Sequence, residues 1–244
     1  MIPLLETVKR ECYNLYRTVV KLNYDLELWL REKHVDDIRF VSYELRNPSL
    51  EDDTLSAILN DCEDGATIVD VGSNVGHYVL SMAAALPSSE IFAFEPHPGH
   101  YKRLRKNIRL NGFQDRITTF NHGVSDEQDE LTFYKSSSKG RSSFHEVRAE
   151  SGGASIEGHE QVNVTKLDDM IESVSIVPDA IKIDTEGHEY WVLRGAERTL
   201  AEHSPLIYFE IHGKKETEIR EYLTQLGYTL DRKDNYIVAK RCQG

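Results

Sequence analysis

Near the start of the chain, Leu4, Leu5, Val8, Cys12, Leu15, Val19 and Leu22 recur every three or four positions. That spacing gathers them on one stripe and predicts a helix over residues 1–33. The stripe requires something to pack on: the chain's own core, a second copy of the chain, or a substrate beneath a lid. Residues 35–65 predict a connecting segment with a short helix near 50–61. A clear alternation follows. Thr67–Val71 is a β-branched run and reads as a strand buried on both faces. Tyr78–Leu86 reads as helix, Glu90–Phe94 as strand, and Pro98–Leu110 as helix stopped by Asn111-Gly112. Ile117–Phe120 is a third strand, and Leu131–Tyr134 an additional one.

Residues 136–160 break the pattern. They are rich in Ser, Gly and charge and show no apolar period. They read as a mobile surface loop of roughly two dozen residues, longer than most connections in a compact domain. Regularity returns with a strand at Gln161–Val164, a helix at Lys166–Ile171 and a strand at Ala180–Ile183. A helix from about His188 to Ala201, a strand at Leu206–Ile211 and a helix at Glu216–Leu226 follow. Tyr228–Leu230 and Tyr236–Ala239 flank a polar turn and predict a closing hairpin. The fold class is therefore α/β. A mostly parallel central sheet carries helices on both faces and an antiparallel C-terminal strand.

Charge and cysteine usage narrow the function. The net charge of −12 argues against binding a nucleic-acid backbone. Lys102, Arg103, Arg105, Lys106 and Arg109 form one basic cluster, read as the solvated face of a helix. Cys12, Cys62 and Cys242 show no C-x-x-C spacing. They argue against zinc and a disulfide framework, and for a reducing compartment such as the cytoplasm. No stretch approaches the ~20 apolar residues of a membrane helix. Charges interrupt residues 1–24 too often for a signal peptide. The expected partner is a small molecule, with neither nucleic acid nor membrane.

Ligands of an open α/β sheet bind at the carboxyl ends of its strands, where the strand order reverses. The turn after Thr67–Val71 is Asp70-Val71-Gly72-Ser73-Asn74-Val75-Gly76. Gly72 and Gly76 allow close backbone approach to a ligand. The G-x-x-x-G spacing is neither the G-x-G-x-x-G of a dinucleotide fold nor a phosphate loop. Glu95, followed by Pro96, ends the second strand. Its carboxylate can accept from both hydroxyls of a ribose. Asp70 reads as the residue that holds the turn in shape.

The second marked segment is Ile181-Lys182-Ile183-Asp184-Thr185-Glu186-Gly187-His188-Glu189, which leaves a strand and enters a helix. Asp184 at the strand end, His188 at the helix start and His212 after the next strand are expected on one face. Each can take or hold a proton. Glu186 and Glu189 also suit a helix N-terminus. Asp184, Glu210 and His212 offer oxygen and nitrogen ligands for a divalent cation, though without a dense carboxylate cluster. No metal is expected.

As an ordered set, D-V-G-S-N-V-G, a helix and F-E-P resemble motifs shared by class I methyltransferases. The version with Asn74 resembles the FkbM group. That family carries a run very similar to Ile181–Glu189, with the same continuation Val192-Leu193-Arg194-Gly195-Ala196. Thr165-Lys166-Leu167-Asp168-Asp169 and Pro205…Phe209-Glu210-Ile211-His212 match as well. The resemblance covers about residues 65–212. It implies a Rossmann-like fold, S-adenosylmethionine as cofactor, and O-methylation of a natural product or sugar. It implies that Gly72, Ser73, Asn74 and Gly76 border the methionine part and that Glu95 holds the ribose. Val124, between Gly123 and Ser125, would lie near the adenine. Residues 1–60 then form a helical extension, a lid or homodimer contact, on a methyltransferase domain of residues 61–244. The competing readings are a metal-assisted O-methyltransferase, a nicotinamide-dependent oxidoreductase and a non-catalytic nucleotide-binding module.

Overall fold

The computed structural model describes residues 2–35, 37–45, 53–137, 141–212 and 215–241, with the backbone alone for 2–7, 9–10 and 153. The chain opens with α1 (Ile2–Leu26), the hairpin β1 (Arg31–Val35) and β2 (Ile38–Ser42), and α2 (Asp53–Asp61). The expected helix over 1–33 ends early. Glu27 turns left-handed, and the Asn23 side chain accepts from Trp29 N–H at 2.6 Å while donating to the carbonyls of Trp29 and Tyr43. The polar run Arg31–Val35 is a strand after all, because it pairs with β2 and buries Lys33 and Val35. Residues 50–52 of the expected helix near 50–61 lie outside the described residues.

The alternating centre follows the expected boundaries closely: β3 (Thr67–Val71), α3 (His77–Ala85), β4 (Glu90–Phe94), α4 (Pro98–Leu110) and β5 (Ile117–Phe120). Next come β6 (Gly123–Val124), β7 (Asp129–Ser136), the short helix α5 (Glu146–Ala149) and β8 (Ile156–Thr165). The segment expected to lack regular structure therefore contains α5 and half of β8. It also contains a bridge between Tyr134 and Ser143. β8 pairs antiparallel with β7, and its first residues alternate half-buried and exposed without an apolar side. That is why hydropathy misses them.

The rest is α6 (Leu167–Val174), β9 (Ala180–Ile183), α7 (Glu189–Arg194), α8 (Glu197–His203), β10 (Leu206–Phe209), α9 (Glu216–Gln225), β11 (Tyr228–Arg232) and β12 (Ile237–Arg241). The single helix expected over 188–201 is two helices, broken at Gly195. A side chain there would sit 1.9 Å from the Ser125 carbonyl oxygen. Asp168 starts the second one by accepting from Arg198 and Thr199 N–H at 3.0 and 2.8 Å.

The main sheet runs β11-β12-β10-β9-β3-β4-β5. The five strands from β10 to β5 are parallel, and β12 lies antiparallel between β10 and β11. Both faces are covered. Ile68, Ile91 and Ile117 pack with α2, α3 and α4. Val69, Val71, Ile181 and Ile183 pack with α6 to α9. The order reverses at β3, between β4 and β9, which puts the crevice beside the Asp70–Gly76 turn.

One buried amide ties α1 to that turn. Asn107 of α4 donates to the Val75 carbonyl and to the Tyr24 hydroxyl, both at 2.8 Å, and accepts from Ser42 Oγ at 3.2 Å. One turn on, Asn111 exchanges two hydrogen bonds with Val41, both 2.8 Å, extending the edge of β2. Among the described residues, no helix is long and apolar enough to cross a membrane.

Candidate active site

The turn from β3 into α3 is held by close backbone contact. The amides of Gly72 and Ser73 both donate to the Phe94 carbonyl at 2.9 Å. Gly72 has φ +88, and a Cβ there would lie 2.0 Å from the carbonyl oxygen of Asp184. Gly76 also has positive φ, and a Cβ there would meet Leu104. Ser73 Oγ donates to the Asp70 carbonyl at 2.9 Å. The Asp70 carboxylate is fully buried and 3.1 Å from Lys182 Nζ. Burial pushes that carboxyl up, while the Lys182 charge pulls it down.

Glu95 is buried and grips both sides of the crevice. Its two oxygens accept from the backbone N–H groups of Asn74 and His97, each at 2.8 Å. A carboxylate has about four acceptor positions, so capacity remains on the cleft side. Asn121 donates to the carbonyls of Glu95 and Pro96, fixing the loop that follows β4. His97 caps α4 through Nδ1, which accepts from Gly99 N–H at 2.9 Å. Burial, then the neighbouring His100, lower the His97 ring to about 4, so it stays neutral.

Part of this framework borders a cleft that is open to solvent. Gly72, Asn74, Glu95, Pro96 and Asp184 line its polar side, and Phe94, Val124, Phe133 and Phe144 its apolar side. His122 borders it too, with a buried Nδ1 that has no hydrogen-bond partner among the described residues. A larger groove of about 1,820 Å³ adjoins it, bounded by α1 and by the β7–β8 hairpin. Gly72, Asn74, His100, Ser142 and Asp184 line both. Asp184 thus stands at the junction.

Residues 70–230, more than half of the chain, match the sequence family described as the methyltransferase FkbM domain. The chain belongs to the FkbM methyltransferase family. It is 26% identical over 207 residues to the hexuronic acid methyltransferase AglP of Haloferax volcanii, covering 82% of this chain and 80% of AglP. It is 31% identical over 149 residues to Methyltransferase 1 of Beauveria bassiana, covering 55% and 59% of the two chains. A crystal structure of a methyltransferase FkbM from Methylobacillus flagellatus superposes with a TM-score of 0.55 at 20% identity. That match spans 73% of this chain and 44% of the other, and it is a likeness of fold.

In this FkbM methyltransferase the three expected catalytic side chains do not share one place. Asp184 reaches the junction, with Lys182 Nζ 3.7 Å away. His212 sits behind it in an ion-pair cluster, 3.4 Å from Glu189, 3.3 Å from Glu210 and 3.9 Å from Glu186. Burial alone would lower the imidazole. Hydrogen bonds donated by the ring to Glu189 and Glu210, with the charge of Glu186, raise it to about 10 instead. It is a cation at neutral pH and cannot act there as a base. Arg148 closes the cluster on Glu186. Asp184, Glu186 and His212 offer ligand atoms within 4.8 Å of one another, so Glu186 stands where the sequence suggested Glu210.

His188 is the clear correction. It was expected to face the cleft, yet it lines neither cavity and is only 3% exposed. Its Nε2 meets Ser125 Oγ at 3.0 Å and its Nδ1 meets His145 Nε2 at 3.2 Å. The ring stacks on Trp191. Burial, then His145, push it down to about 3. Conversely, His100, His122, Ser142 and Phe144 reach the cleft without any sequence signal, because they come from connections that only the fold brings together. Arg141 and Arg148 are turned inward, to the Ser151 carbonyl and to Glu186.

Proposed function

We propose that this methyltransferase uses S-adenosylmethionine to methylate a hydroxyl oxygen of a small molecule such as a sugar or natural product. The observation that carries the reading is the junction itself. A cleft lined by Phe94, Glu95 and Val124 and a wider groove meet at Asp184, beside a glycine turn at the switch point.

The residues suit that cofactor. Gly72 lets the turn lie against the Asp184 backbone, where a Cβ would clash, Glu95 keeps acceptor capacity for ribose hydroxyls, and Asn74, Ser73 and Gly76 shape the wall for the amino-acid part. Phe94, Val124 and Phe144 offer apolar faces to a purine, and the buried His122 Nδ1 offers a polar edge. When bound, the cofactor supplies an electrophilic methyl group on a positively charged sulfur. This chain's share is positioning, which can supply several kcal/mol by aligning the reacting atoms. Asp184 meets the acceptor at the junction and takes or orients its hydroxyl proton. His188 and His212 support the site from behind it.

The metal-assisted alternative would load a cation on Asp184, Glu186 and His212. The internal pairing with Arg148 speaks for an ion-pair network instead. The G-x-x-x-G turn and the family membership speak against a nicotinamide enzyme. Two further parts of the reading concern assembly and place. Val8, Leu15, Leu22 and Leu26 stand exposed along α1, which supports a contact between two copies of the chain. Cys12 and Cys62 are free thiols, which supports a reducing compartment such as the cytoplasm.

Titration with S-adenosylhomocysteine and with NAD separates the cofactor readings, the first binding and the second not. A labelled methyl donor with sugars, phenols and polyketide alcohols then tests oxygen methylation. Label recovered on nitrogen, or on no acceptor, overturns it.

A further inference from the structure

The groove beyond Asp184 differs in charge from the rest of the molecule. The chain carries −12 overall. Yet Arg17, Lys21, Arg103, Lys135 and Lys182 line the groove against Glu44, Glu157 and Asp184. The cations outnumber the carboxylates, and a net charge of one sign along a cleft concentrates counter-ions of the other sign.

Lys21 pairs with Asp25 on α1 at 2.7 Å, and the other four cations fall into two groups. Lys182 is buried beside Asp70, and Arg103 stacks over Tyr24 and faces Glu44 at 3.7 Å. These two belong to the framework. Arg17 and Lys135 stand at the mouth, on opposite walls: Arg17 on α1 and Lys135 on β7. Arg17 reaches across to Glu157 of β8 at 2.5 Å, and Lys135 holds Glu160 at 2.7 Å. The Lys135 pair is half-buried, whereas the Arg17 pair is more exposed, of the weak kind that exchanges for a better anion. Tyr13, Tyr16 and Tyr78 add ring faces between the walls.

We propose that this groove is the acceptor site and that it selects a hydroxylated anion, a carboxylate- or phosphate-bearing sugar or similar polyol, through Arg17 and Lys135. This rests on the methyl-transfer reading and specifies its acceptor. An anionic acceptor displaces Glu157 from Arg17 and presents its hydroxyl toward Asp184. The N-terminal helix thereby becomes part of the specificity machinery, because it supplies Arg17, Tyr13 and Tyr16.

The test separates the two readings. S-adenosylhomocysteine is titrated first by calorimetry; failure there sinks the cofactor reading. The protein saturated with it is then titrated with glucuronate, glucose 6-phosphate and glucose. The expected result is that at least one anion binds about tenfold or more tighter than glucose, with the stronger anion identifying carboxylate or phosphate. Arg17→Gln and Lys135→Gln each weaken that anion about fivefold or more and leave S-adenosylhomocysteine affinity alone. Glu157→Gln, which releases Arg17, strengthens it. A merely structural Glu157 would not produce that gain. Equal affinity for all three sugars, undetectable binding of both anions at millimolar concentration, or anion affinity unchanged in both cation variants overturns the proposal.

Discussion

Lys182 Nζ lies 3.1 Å from Asp70 Oδ1, and both side chains are almost completely withdrawn from water. They come from the adjacent parallel strands β9 and β3, where they are register partners. The same ammonium sits 4.2 Å above the Tyr78 ring and 3.7 Å from Asp184. One cation thus joins the glycine turn to the strand end at which the two clefts meet. Removing it leaves a buried carboxylate uncompensated. Lys182→Met should cost about 3–5 kcal/mol, read by urea unfolding. Adding Asp70→Asn should recover part of that loss, since the two changes share one interaction. Additive losses would show that the pair is not coupled.

Glu95 should govern cofactor affinity. Its oxygens also hold the Asn74 and His97 amides, so an alanine would loosen the turn as well. Glu95→Gln keeps the shape and one carbonyl acceptor. It should weaken S-adenosylhomocysteine binding by about 1–3 kcal/mol through lost charge-assisted hydrogen bonds. Calorimetric affinity equal to the parent protein's would remove Glu95 from the ribose contact.

His188 should matter for stability rather than for the chemical step. Its ring is held at about 3, below the ordinary 6.5. The unfolded chain therefore binds a proton in that interval that the folded chain refuses. This contribution is complete above 6.5 and is lost as pH falls toward 3. His188→Gln should flatten that part of the stability–pH curve and lower stability at neutral pH by about 1–3 kcal/mol. Turnover per folded molecule should stay within about twofold. A large fall in kcat at full folding would return His188 to the chemistry.

Chelators should leave methyl transfer unchanged, because Arg148 and the protonated His212 balance the carboxylates beside Asp184. Activity measured before and after EDTA, with magnesium added back, decides this. Activity lost to EDTA and restored by magnesium would establish the metal-assisted route.

The strands that flank the Asp70–Gly76 turn were legible because their demands are local. Thr67–Val71 is buried on both faces and is apolar but for Thr67 and Asp70, whose charge Lys182 compensates. Gly72 must adopt a conformation that side chains disfavour. Glu95 follows a strand and precedes Pro96, a marked place for an acid, and its oxygens hold the Asn74 and His97 amides. The hairpin β1–β2 escaped notice because its inward residues include Lys33, a charged side chain that hydropathy reads as exposed. His188 was misplaced for a related reason. Its position at a helix start is plain in the sequence, but Phe144, His145 and Trp191 close over the ring. Two of those three arrive from a segment more than forty residues away. The groove has the same character: α1, α4 and the β7–β8 hairpin each contribute a few polar residues, and no single stretch announces it.

The amide of Asn107 has a bearing on how acceptor preference in such an enzyme could be rebuilt. It grips Val75 in the cofactor turn and Tyr24 in α1 with the same nitrogen. An aspartate lacks the donors, and a glutamine is one methylene too long for both partners at once. A different N-terminal helix can therefore be grafted onto this scaffold as an interchangeable part, provided that it brings a tyrosine hydroxyl to the place of Tyr24. Without that tyrosine, the graft would be registered at the donor turn as well as in the groove it was meant to change.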